Sequence, residues 1–150
     1  LTWSAGDGAK ATAGVLSDNE RLLLERLTLD SPDQFVLAQL RGASYFTIAR
    51  NVRAADAVDG YAGPLWDLVR LDEPPQNGKV PALSLSRIYY LNVQTGLPDR
   101  IEYQLNGQDI RVDFAGWTEQ NGEKTPARIA WSNSGQTIME YKLVSVSFNQ

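Results

Sequence analysis

Three glycine-bearing dipeptides, Asn106-Gly107, Asn121-Gly122 and Ser134-Gly135, each stand between runs in which apolar and polar residues alternate. Asn-Gly between alternating runs is the strongest short-range hairpin signal, because both of its residues can adopt the positive φ that such a loop calls for. Ile101, Tyr103 and Leu105 alternate with Arg100, Glu102 and Gln104 before the first pair, and Ile110, Val112 and Phe114 alternate with Arg111 and Asp113 after it. Ala127, Ile129 and Trp131 alternate with Arg128 and Ser132 ahead of the third, and a last strand is expected from Thr137 to Phe148. A period of two sends successive side chains to opposite faces. Consecutive hairpins with that period predict an up-and-down antiparallel sheet, one face buried and the other polar.

Upstream, Tyr45 to Arg53, Leu65 to Leu71 and Leu85 to Val93 also read as strands, with turns at Asp59-Gly60, Gly63-Pro64 and the run Thr95-Gly96-Leu97-Pro98. Asp72 to Pro81 is expected to be a loop, since its prolines cannot sit in a central ladder. Two short helices are expected before the strands. Ser17-Asp18-Asn19-Glu20 has the form of a capping box ahead of Leu22, Leu23 and Leu27. Ser31-Pro32-Asp33-Gln34 repeats that logic ahead of Phe35, Val36, Leu37 and Leu40, with Gly42 as the stop. Residues 1–15 read as an extended segment or edge strand looping around Gly6-Asp7-Gly8. The expected fold class is α+β, mostly β: a single domain over residues 1–150 with about seven or eight strands in a curved half-barrel. The two helices are expected to pack on its concave face.

The chain of 150 residues carries a net charge of −4 and its Lys and Arg are scattered. Phosphate backbones need clustered cations, so nucleic acid is not an expected partner. Cys and His are both absent. That excludes disulfides, thiol nucleophiles, Cys/His zinc sites and any triad with a His base. No cofactor or metal is expected. No apolar stretch reaches the roughly 20 residues that span a bilayer as a helix, so the chain is not expected to span a membrane.

Carboxylates are the remaining acid–base candidates, in the near pairs Asp56 and Asp59, Asp72 and Glu73, and Asp109 and Asp113. Each pair falls in an expected turn or on the polar side of a strand, where acids are ordinarily solvated. No catalytic residue is assigned. The aromatic residues say more. Trp66, Tyr89, Tyr103, Phe114 and Trp131 fall within expected strands, with Ile101 beside them. They fit core packing against the helices, and equally a curved sheet that presents them to an apolar ligand. Periodicity does not separate the two, because a packed core and a lined pocket both want apolar residues on one face.

The run YYLNVQTGLPDRIEY, a strand into T-G-L-P and then an alternating strand, resembles the outer-membrane lipoprotein-sorting group, the LolA/LolB-like fold. DIRVDFAGW, then NGEKTPARIAW, then a long last strand continue the likeness, and DGYAGPLWDLVRLDE is similar to the hairpin before it. The resemblance covers residues 43–148. It implies an incomplete β-barrel around helices, in a periplasmic or secreted bacterial protein that carries lipid or lipoprotein acyl chains without catalysis. Full carriers have more strands ahead of the helices than residues 1–15 supply, which implies an abbreviated or truncated member. The resemblance carries over a region only, the inward strand residues, within which Trp66, Tyr89, Ile101, Tyr103, Phe114 and Trp131 are the expected ligand-binding residues. The competing expectation is a structural or protein-interaction module of a larger secreted protein, with a filled core and no ligand. An open sheet edge would then pair with a partner or with a second copy as a homodimer.

Overall fold

A computed structural model describes residues 2–4, 8–10, 26–55, 62–73, 86–105, 107–120 and 122–143. The capping box at Ser17, the acids Asp56 and Asp59 and the far end of the last strand lie outside them. The chain divides into two compact units, Leu1–Gln34 and Phe35–Gln150. In the smaller one, strands β1 (Thr2–Ser4) and β2 (Gly8–Lys10) form an antiparallel hairpin in which Trp3 faces Ala9. Residues 26–29 are helical, and Asp30 closes that turn by donating its N–H to the carbonyl of Arg26 at 2.9 Å.

Helix α1 (Gln34–Leu40) begins two residues later than Pro32 suggests, with the Gln34 N–H donating to the Ser31 carbonyl at 3.0 Å. Its end follows the expected rule. Gly42 has φ 82°, its N–H reaches the Gln39 carbonyl, and the Ala43 N–H reaches the Ala38 carbonyl. That crossed pair satisfies two carbonyls left over by the last turn, and only a residue at ease with positive φ can close it.

The larger unit is a seven-stranded antiparallel meander in sequence order: β3 (Ser44–Val52), β4 (Trp66–Asp72), β5 (Ser86–Asn92), β6 (Pro98–Leu105), β7 (Gln108–Gln120), β8 (Glu123–Asn133) and β9 (Gln136–Lys142). It is mostly β and is not closed into a barrel, so β3 and β9 are its edges. All three expected hairpins are present with two-residue loops: Leu105 pairs with Gln108, Gln120 with Glu123, and Asn133 with Gln136. Ser134 and Gly135 both have positive φ, at 49° and 81°, the backbone that matches strand twist across such a loop.

Several strand boundaries differ from expectation, and Asp72, expected in a loop, is the last residue of β4. Pro98 is the first residue of β6 rather than part of the turn, paired with Leu91 and buried; a proline at a strand's first position removes no needed donor. Strand β7 runs six residues beyond Phe114, to Gln120, through Gly116 at φ 66°. A Cβ at Gly116 would lie 3.2 Å from that of Ala127, so the absence of a side chain lets β7 and β8 stay close and keep their register past this point.

Candidate functional site

Residues directly opposite in an antiparallel ladder project to the same face, so the register sorts the sheet into two surfaces. One lateral row runs Val69, Tyr89, Ile101, Val112, Trp131, Met139 across six strands. Beside it lie Leu71, Arg87, Tyr103 and Ile110, and beyond Trp131 the pair Phe114 and Ile129. This is the apolar face. Helix α1 packs there: the Phe35 ring meets Tyr45 edge-on at 5.2 Å and Tyr89 at 4.8 Å, and the Tyr45 hydroxyl donates to the Phe35 carbonyl. Tyr45 faces Leu71, which fixes it to the same surface. Of the remaining apolar helix residues, Ala38 is fully buried while Val36, Leu37 and Leu40 are exposed.

The opposite surface carries charge. Its rows are Phe46, Arg70, Ile88, Glu102, Arg111, Ser132 and Leu68, Tyr90, Arg100, Asp113, Ala130, Glu140. Arg100 Nε donates to Asp113 at 3.1 Å, Arg111 Nε to the other Asp113 oxygen at 2.7 Å, and the Tyr90 hydroxyl to Glu102 at 2.7 Å. Burial and the Glu102 carboxylate push the Tyr90 phenol up to about 12. Asp113 is therefore a structural acceptor shared by two arginines, and its near partner in sequence, Asp109, takes a hydrogen bond from Gln104 at 3.0 Å.

Five of the six candidate ligand-binding residues come together on the apolar face. Tyr89 and Ile101 are 0% exposed, Trp131 2%, Phe114 4% and Tyr103 5%. Trp66 stands apart from them. It faces Asn92 and shares the parity of Leu68 and Arg70, which places it on the charged face. Its indole N–H donates to Asp99 at 2.8 Å, its ring meets Tyr90 edge-on at 6.1 Å, and the Arg100 guanidinium lies 5.7 Å from its centroid. The reason is register. An aromatic residue at a strand end carries no alternation to say which way it points, and here the continuous β4–β5 ladder decides.

Two further residues belong to the site: Arg87, which sequence reading did not single out, and Glu73, which it named only as one of a pair of solvated acids. Arg87 occupies an inward position of the apolar face and is 5% exposed, with its guanidinium 5.6 Å from the Tyr103 centroid. Glu73, expected to be a solvated loop acid, instead sits between two arginines: Oε1 accepts from Arg87 Nη1 at 3.2 Å and from Arg41 Nη2 at 3.1 Å, while Oε2 accepts from Arg41 Nε at 3.3 Å. A legible signal for Arg87 existed. It shares the parity of Tyr89 two residues on, so a strand that buries Tyr89 buries Arg87 as well. Glu73 lies beyond any periodic pattern and gave none. Among the described residues, one buried side-chain nitrogen at this site lacks an acceptor, Arg87 Nε.

No group of three or more His, Cys, Asp or Glu suited to hold a metal ion occurs among the described residues, and no described helix is long and apolar enough to cross a membrane. Comparison of the chain with protein-family models, with curated proteins and with solved structures yields no match.

Proposed function

We propose that this chain is a non-catalytic, LolA/LolB-like protein of the bacterial envelope, periplasmic or secreted, that takes an apolar ligand, a lipid or lipoprotein acyl chain, on the apolar face of its sheet. One observation carries the reading. The sheet is open rather than closed, and one face of it is mainly aromatic and aliphatic across six strands while the other bears most of the ion pairs. An unclosed sheet with one greasy face offers a long apolar chain both area to bury and a side from which to enter.

A double substitution, Phe114→Ala with Trp131→Ala, tests this. Uptake of a fluorescent fatty acid is expected to disappear. The fall in stability is expected to stay below the combined cost of two tightly packed aromatic cores, for which about 3–5 kcal/mol each is usual. A larger fall with uptake unchanged would sink the carrier reading.

The near-complete burial of Tyr89, Ile101, Trp131, Phe114 and Tyr103 favours a second reading, a protein-interaction module with a filled core. Its partner, or a second copy of the chain, would then dock at a sheet edge such as β3, where Phe46 and Ile48 are 47% and 51% exposed.

A further inference from the structure

The apolar face holds one charged group that its surroundings do not fully satisfy. Arg87 is flanked across the ladder by Leu71 on β4 and by Tyr103 on β6. Arginine does not shed its proton under any ordinary condition, so a buried guanidinium must be met by acceptors or remain a cost to the fold. Its acceptor is Glu73, reached by Nη1 alone. That carboxylate is already held by Arg41 through the Nε/Nη2 edge, the geometry in which a planar fork meets two oxygens. The same edge of Arg87 is not used on Glu73, and its Nε–H is buried with no acceptor among the described residues. Two guanidiniums against one carboxylate leave this cluster with one positive charge in excess, at the border of an aromatic surface.

We propose that Arg87, with Arg41 and Glu73 behind it, is the head-group site for a carboxylate at the end of an acyl chain. The carboxylate takes the Nε/Nη2 edge of Arg87 and neutralises the excess charge. The tail lies on the apolar face, leaving past Tyr103 and Ile110. A planar carboxylate fits the fork in two parallel hydrogen bonds, and its single charge matches the single charge in excess. This inference rests on the apolar-ligand reading and narrows it from any lipid to an anionic, single-chain one.

The test compares oleate with oleyl alcohol, which has the same tail and no charge, by calorimetric titration of the full chain at mildly alkaline pH. The unsubstituted protein is expected to bind oleate at least about tenfold more tightly, the usual worth of a charge-assisted hydrogen bond. Arg87→Gln is expected to bring the two affinities to within about twofold by removing that bond while keeping its packing. Glu73→Gln serves as a second variant: it raises the excess charge, so oleate should bind more tightly and oleyl alcohol unchanged. Equal affinities in the unsubstituted protein would overturn the head-group site and leave the carrier reading standing. An equal loss of both ligands in Arg87→Gln would show a purely structural arginine and overturn the site. Binding of neither ligand by the unsubstituted protein would overturn both.

Discussion

Tyr90 shows how the charged face is held together one residue at a time. Its hydroxyl donates to Glu102, its ring lies 5.0 Å from the Arg100 guanidinium, and Arg100 in turn binds Asp113. Burial first, and the Glu102 carboxylate second, raise its pKa from 10.0 to about 12. The fold thus favours the protonated phenol. That contribution is complete below the unfolded value and is lost as pH rises through the folded one. Stability against urea is expected to decline from pH 10 toward 12. Tyr90→Phe should flatten part of that decline, and an identical decline in the variant would contradict the assignment. Tyr45, raised mainly by burial, supplies some of the remainder. The same scale explains why Trp66 and Arg87 escaped a reading of residue types. Aromatics suggest the apolar face and arginines the charged one, but the strand positions of Trp66, itself buried, and of Arg87 reverse both habits.

Among the elements, the β5–β6 connection shows how a short polar loop can fix the register of a sheet. Asn92 Oδ1 accepts the N–H groups of Gln94 and Thr95 at 3.0 and 3.3 Å, and its Nδ2 donates to Asp99 at 2.9 Å. Asp99 uses the same oxygen to hold the Trp66 indole, so the loop and the end of β4 are tied together. Asn92→Ala removes all three bonds of the side chain. The expected loss is about 1–3 kcal/mol, as for a partly buried network left unsatisfied, together with a shift of the Trp66 indole N–H resonance. An unmoved resonance would separate Asn92 from Trp66. The hairpins at Gly107, Gly122 and Gly135 were legible because positive φ is written in residue type. The start of β6 at Pro98 was not, since it depends on what Asn92 does with the loop. Strand β3 was legible as a strand, but its two irregularities, between Thr47 and Ala49 and between Ala49 and Val52, were not. Asn51 lies inside the second with φ 53° and donates its N–H to Asp67. Bulges on an edge strand hinder unwanted pairing, which bears on where a partner would dock.

For the molecule as a whole, alternation in the sequence was enough to give the meander and to place five of the six named residues on one surface. A strand period of two leaves little freedom once the hairpin loops are set. What alternation could not reach is whether that surface encloses a ligand or only itself, because both arrangements select the same residue types. Nor could it reveal the Arg41, Glu73 and Arg87 cluster, which joins the end of α1, the end of β4 and the start of β5 across breaks in the pattern. The functional account rests on the apolar face accepting an acyl chain. Native mass spectrometry of freshly purified protein, before and after organic extraction, tests that most directly. The account predicts a lipid-sized adduct that extraction removes, and a clean mass of the bare chain before extraction would contradict it.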